Sequence, residues 1–311
     1  MTLTGGGKPI HFSTMRVLFM GMSGILSRTP LAILLSGGVN VCGVALPAAT
    51  LPPYVLPING RSLIPSQPNS IPLTANPGML PLAAQHKLPV YPVRRLGDEE
   101  MVAALTAVQP DLICVSCFDQ IVPPAILNLP RFGCLNLHPS LLPHFRGPSP
   151  LFWTLHAGQK ETGVTVHFMD EGLDSGDIAL QSGVTLPDGL SGAQVEQMTA
   201  ERGGRLLLTA VKQLATGYLP RQPQPLGGSY QSSPQAEDFR LDTNWSAQRA
   251  FNFMRGTQEW ARPYPVNVAG EEVWLRTAVA CHPRQAQSRP FIRQSKAVSI
   301  QFSPGVLVAQ P

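Results

Sequence analysis

Short apolar segments alternate with helix-length amphipathic ones through the first half of this chain, and few folds accept that pattern. Residues 17–20, 39–46 and 111–116 are too short for buried helices and too apolar for strands with one wet face. Helices are expected over about 28–36, where Gly37-Gly38 stops the turn, near 79–86 and over 98–108. Residues 89–93 add a further short strand. Strands buried on both faces and separated by helices form a mostly parallel, doubly wound α/β sheet covered on both sides. Such sheets bind ligands at the carboxyl ends of their strands. Phe118-Asp119-Gln120-Ile121-Val122-Pro123, following the strand at 111–116, is therefore a candidate binding loop, with an ordinary helix-entry turn as the alternative. Gly21-Met22-Ser23-Gly24 lacks the spaced glycines of a dinucleotide site, and a tight strand-to-helix turn accounts for it.

The most informative stretch is 133–181. Cys134-Leu135-Asn136-Leu137-His138 reads as a strand whose alternation puts Asn136 and His138 on one face and the leucines on the other. A second strand at 163–169 runs into Asp170-Glu171-Gly172-Leu173-Asp174-Ser175-Gly176-Asp177. If the two strands are neighbours, Asp174 reaches His138, and an amide donor, a titratable base and a carboxylate converge. Each residue alone is weak: a lone strand histidine is more often a core residue. Asp170, Asp174 and Asp177 lack the alternation and closing glutamate of a calcium loop, so the reading is one catalytic carboxylate with solvated neighbours. Cys114-Val115-Ser116-Cys117 has zinc-like spacing, but positions i and i+3 of a strand face opposite ways, and no metal is expected. His144 and His156 are expected to face solvent. His167 shares a strand face with Thr165 and Met169; a place behind the site is one reading of it, and a core position is the favoured one.

The run Asn136-x-His138-x-Ser140-Leu141-Leu142-Pro143, then Arg146-Gly147, then Thr162-Gly163-Val164-Thr165-x-His167 and Asp170-x-Gly172-x-Asp174-x-Gly176 resembles the folate-dependent formyltransferase family. The resemblance covers about 15–274 and is nearest to members that act on methionyl-tRNA. It implies transfer of a formyl group from 10-formyltetrahydrofolate to a primary amine, with Asn136, His138 and Asp174 catalytic. Phe118, Gln120, Ile121 and Val122, with Ser140, Leu141, Leu142, Pro143 and Asp170, are the implied folate-binding residues. Arg61 and Arg146 are candidates for the acceptor. Pairing with Asp174 is expected to raise the pKa of His138. The acceptor is the α-amine of an aminoacylated initiator tRNA or, alternatively, a small amine such as a nucleotide-linked amino sugar. A non-catalytic folate- or RNA-binding paralogue and a formyl-folate hydrolase are further readings. The family's loop corresponding to 47–78 is basic and meets tRNA, whereas here Arg61 is its single cation.

The same resemblance implies a formyltransferase-like Rossmann variant over 15–216, a Pro/Gln/Gly linker over 217–237 and a small β-barrel like an oligonucleotide-binding fold over 238–311. In the last, a helix is expected at 247–255 and strands at 266–268 and 273–279. Residues 1–14 carry Gly5-Gly6-Gly7 and are expected to be disordered, with Met15 a candidate start. A long helix is expected over 191–215. Net charge is +4 with pI near 8.9, compatible with RNA or anionic substrates without committing to either. Arg284, Arg289, Arg293 and Lys296 form a candidate RNA-facing patch. No apolar run is long enough to span a bilayer, and five cysteines without a signal peptide suggest the cytoplasm. A monomer is expected.

Overall fold

The computed structural model describes residues 11–50, 57–58, 61–62 and 78–311. Contacts group the chain into two units. One holds the chain up to Arg146, Gly163–Val184 and Gln197–Ser229; the other holds Gly147–Thr162, Thr185–Glu196 and Tyr230–Pro311.

The first unit is built on a nine-stranded sheet. Its strands are β1 (Val17–Gly21), β2 (Val41–Pro47), β3 (Pro57–Ile58), β4 (Arg61–Ser62), β5 (Val90–Val93), β6 (Leu112–Ser116), β7 (Cys134–His138), β8 (Glu161–Phe168) and β9 (Ile178–Thr185). The order is β3-β4-β5-β2-β1-β6-β7-β8-β9. From β5 to β7 every pairing is parallel, whereas β7 and β8 run antiparallel. The parallel, doubly wound expectation is met. β9, half-buried at the sheet edge, was not anticipated.

Alternation along β1 shows why the strands are apolar throughout. Val17 and Phe19 join Leu31 and Leu34 of α1 (Ile25–Ser36) on one face. Met79 and Leu82 of α2 (Met79–Gln85) join them there. Leu18 and Met20 point the other way, onto Leu105 and Val108 of α3 (Glu99–Val108) and Ile126 of α4 (Pro124–Leu127). Each face of such a strand loses its water, so each needs an apolar side chain.

The expectation of disorder over 1–14 needs correction at its end. The Thr14 N–H donates to the His11 carbonyl at 2.9 Å, and Phe12 packs on the core under the Lys212 ammonium. A large aromatic that finds apolar cover holds this turn in place. Residues 1–10 and most of the 47–78 loop, with the Arg61 side chain, lie outside the described residues.

In the second unit, α5 (Pro150–His156) and α7 (Ala247–Thr257) share an aromatic cluster. Phe152 lies 5.4 Å from Phe253 and 5.1 Å from Phe239 between ring centroids. These contacts draw Gly147–Thr162 out of the expected 15–216 stretch. His156 is part of the cluster, edge-on to Trp245 at 5.2 Å, instead of facing solvent as expected. Burial pushes its pKa down, and the Arg249 guanidinium acts in the same direction.

The C-terminal strands are antiparallel, as expected for a β-rich domain. β10 (Tyr264–Val268) and β11 (Glu271–Leu275) form a two-stranded ladder. Its turn places Ala269 and Gly270 at φ 52° and 87°, the two positive φ values that a tight hairpin of this hand requires. β12 (Thr277–His282), β13 (Phe291–Arg293), β14 (Val298–Gln301) and β15 (Val306–Gln310) form a second sheet in the order β12-β15-β14-β13. The strand expected over 273–279 is thus two strands that break at Arg276. Arg284, Arg289 and Lys296 are exposed, while Arg293 is paired with Glu271. Among the described residues no helix is long and apolar enough to cross a membrane.

Candidate active site

Asn136 and His138 project from the same side of β7, near its carboxyl end, while Leu135 and Leu137 go into the opposite core. The antiparallel register sets His167 of β8 directly opposite Asn136, and Thr165 opposite His138. The chain then turns through Asp170–Asp177 before β9. Asp174 takes a left-handed backbone there, with φ 52°. Its carboxylate, about 10% exposed, is directed back at β7.

The expected triad converges. Asn136 Nδ2 donates to Asp174 Oδ1 at 3.3 Å, and His138 Nδ1 lies 3.6 Å from Asp174 Oδ2. His167 completes the cluster, its Nε2 being 3.1 Å from Asn136 Nδ2 and 3.7 Å from Asp174 Oδ1. Its Nδ1 sits 3.0 Å from the Phe168 carbonyl, which can only accept. The Nδ1–H tautomer therefore leaves Nε2 free to accept from Asn136, and this orients the amide. A core position was favoured for His167. It is buried, but at the site.

The tautomer of His138 follows from the same logic. Nε2 lies 2.8 Å from the Phe145 carbonyl, so Nε2 carries a hydrogen in both charge states. The ring titrates at Nδ1, the nitrogen that faces Asp174. Its pKa is lowered from the ordinary 6.5: burial lowers it most, the Asp174 carboxylate and Phe145 carbonyl oppose, and His167 adds to the lowering. The expectation of a raised pKa is corrected, because loss of hydration outweighs the carboxylate at 3.6 Å. The resting ring is neutral at pH 7.

The lowered pKa values of His138 and His156 have a consequence for stability. Above pH 6.5 the folded and unfolded rings are both neutral. Below it the unfolded rings bind protons first, so their contribution to stability is lost as pH falls toward the folded pKa values. Urea midpoints at about pH 7.5 and about pH 5.5 check this, the lower being expected in acid. An equal or higher midpoint at pH 5.5 would count against the burial argument.

The other expected residues divide. The loop after His138 is held from within: Thr165 Oγ1 donates to the Ser140 carbonyl and accepts from the Leu142 N–H, while Gln181 Nε2 donates to the Leu142 carbonyl. Ser140 and Leu142 are buried, Pro143 is buried in the same loop, and only Leu141 offers its side chain to the surface. In the Phe118–Val122 segment, Ile121 is 80% exposed and Val122 is buried. Phe118 packs into the core, and Gln120 binds the Leu96 N–H and Arg94 carbonyl. Asp170 Oδ1 accepts from the Gly172 N–H and Ser175 hydroxyl, shaping the turn that carries Asp174. Arg146, a candidate for the acceptor, gives both Nε and Nη2 to Gln224 Oε1. Cys114 is buried and Cys117 exposed.

An amide, an imidazole and a carboxylate at the strand ends of an open α/β sheet define a site for acyl-group chemistry. Comparisons agree with that class. The family described as Formyl transferase matches residues 65–211. A methionyl-tRNA formyltransferase of Synechococcus sp. (strain JA-3-3Ab) is 39% identical over 232 residues, covering 73% of this chain and 71% of that one. One from Pelotomaculum thermopropionicum is 38% identical over 179 residues, 57% of each chain. The match spans less than two thirds of the length of that relative and of several others. Among solved structures, the N-formyltransferase from Helicobacter canadensis with folinic acid and dTDP-3-aminofucose has a TM-score of 0.64 at 14% identity, covering 96% of this chain and 99% of that one. The chain belongs to the formyltransferase family.

Proposed function

We propose that this chain transfers the formyl group of 10-formyltetrahydrofolate to the α-amine of methionyl-tRNA. The observation that carries the chemistry is the convergence of Asn136, His138 and Asp174. The acceptor is supported by the methionyl-tRNA formyltransferases to which the chain is similar. The residues suit a folate: Ile121 and Leu141 are exposed apolar side chains for a flat ring.

The folate supplies an activated formyl carbonyl. The Asn136 amide, whose two hydrogens go to Asp174 and His167 at rest, exchanges its 3.3 Å bond to Asp174 for one to the oxygen on which negative charge develops. The neutral His138 ring takes a proton at Nδ1 from the attacking amine, because Nε2 is committed to the Phe145 carbonyl. Asp174 stabilises the imidazolium that forms, and the ring returns the proton toward the departing nitrogen. Protonation of His138 beforehand would block the first transfer. The His138 ring, followed by NMR, is therefore expected to titrate below the ordinary histidine value of 6.5, separately from the acceptor amine that must also be neutral to attack, and a ring midpoint above it would contradict the assignment.

All three proposed catalytic residues fall within 15–216, the stretch assigned to the chemistry. Arg284, Arg289 and Lys296, exposed in the C-terminal domain, are assigned to RNA phosphates. Cys42, Cys114, Cys134 and Cys281 carry free thiols, which supports a cytoplasmic setting. A salt titration of tRNA binding tests the acceptor. Affinity is expected to drop on the order of a thousandfold between about 50 and 200 mM salt if some six phosphates are contacted. Failure to bind tRNA at low salt would favour the second reading, a nucleotide-linked amino sugar. The single cation at 47–78 and the sugar nucleotide named with the Helicobacter enzyme support that reading.

A further inference from the structure

Residues 221–229 follow α6 (Gly192–Ala215) in a Pro/Gln/Gly-rich stretch that composition alone marks as a linker. Their contacts describe something else. The Arg221 guanidinium lies over the Phe168 ring at 4.1 Å and 3.6 Å from Asp177. The backbones of Gln222 and Ile178 exchange hydrogen bonds of 2.8 and 3.0 Å. Ser229 donates its N–H to the Pro143 carbonyl, accepts the Phe145 N–H on its hydroxyl and accepts the Arg146 N–H on its carbonyl. The segment thus runs from the carboxylate side of the site to the loop whose Phe145 carbonyl holds His138.

Gln224 lies between these anchors, and it alone among 221–228 is not exposed. Its Nε2 donates to the carbonyls of Asp174 at 2.7 Å and Gly176 at 2.8 Å. Its Oε1 accepts from Nε and Nη2 of Arg146 at 3.1 and 2.6 Å. The amide has one possible orientation, because guanidinium can only donate and carbonyls can only accept. A left-handed backbone at a non-glycine residue such as Asp174 is uphill and needs its surroundings to hold it.

We infer that Gln224 is a positioning residue that fixes the Asp174 turn against Asn136 and His138, with Arg146 holding its amide in register. This rests on the proposed formyl transfer and deepens it. Without the two donated hydrogen bonds the carboxylate shifts, and a misplacement of about 1 Å costs on the order of a hundredfold in rate.

The test is Gln224→Leu, similar in length but without donors, alongside Gln224→Glu, whose oxygens would face the two carbonyls. Both are expected to lose at least about tenfold in kcat, with folate dissociation constant unchanged. In an Asp174→Asn background Gln224→Leu is expected to cost nothing further, since it acts through Asp174. Wild-type kcat in Gln224→Leu, or a full additional loss in the Asp174→Asn background, would overturn the inference. If Gln224→Leu fails to fold, Arg146→Met leaves the amide present but unheld and is expected to show a smaller kcat loss with the same background dependence. A readout independent of the acceptor separates this from the functional reading: NMR titration of His138. Its pKa is expected to fall further in Gln224→Leu as the raising influence of Asp174 recedes. An unchanged value would count against the inference even if wild-type protein formylates nothing offered.

Discussion

Alanine at His138 or at Asp174 is expected to lower turnover by about 10²–10⁴-fold, the range typical of a lost general acid–base group. Folate affinity should change little, since neither side chain is the apolar surface on which a pteridine would rest. The two losses should not multiply. His138 Nδ1 and Asp174 Oδ2 are 3.6 Å apart and are assigned to one proton transfer, so the double variant should resemble the worse single one. Single-turnover kinetics with saturating folate separate the chemical step from binding. Wild-type turnover in either alanine variant would remove that residue from the catalytic machinery.

Gly176→Ala is expected to be nearly as damaging, for a steric reason. A Cβ at this position would run into the Phe168 carbonyl oxygen, and backbone cannot move aside as a side-chain tip can. The turn carrying Asp174 must then shift away from β8. Forced packing of this kind costs about 1–3 kcal/mol of stability. The displaced carboxylate adds a rate loss on the order of a hundredfold. Gly183→Ala in β9 is the matched control, since a Cβ there meets nothing within 4 Å. Urea midpoints and kcat on both variants check the contrast. Equal effects at the two glycines would show that the close approach at Gly176 does not matter.

What could be seen in the chain before its structure depended on the range of the signal. Alternation in Cys134-Leu135-Asn136-Leu137-His138 is local, and it placed Asn136 and His138 on one face correctly. The approach of Asp174 needed only that β7 and β8 be neighbours, which they are. For His167 the core was favoured over a place behind the site, because its position depends on the register that sets it opposite Asn136, and nothing local encodes register. A histidine paired across from a candidate amide on an adjacent strand is the signal to look for. The direction of the His138 pKa was wrong because the carboxylate was visible in the sequence and the burial was not. β9 was overlooked because Ser182-Gly183 interrupts its apolar pattern, as suits an edge strand with one wet face. Gln224 lay hidden in a segment whose composition suggests solvent. Arg146 carried a charge that suggested the acceptor, and its contact with the Gln224 amide could not be read from the sequence.

The most direct measurement is formylation of charged initiator methionyl-tRNA by purified protein with 10-formyltetrahydrofolate, run against His138→Ala. The account predicts formyl-methionyl ester from the wild-type chain and, from the variant, a rate lower by about 10²–10⁴-fold. No ester from wild-type protein that still binds folate would contradict the tRNA assignment. Equal rates from the two proteins would contradict the site itself.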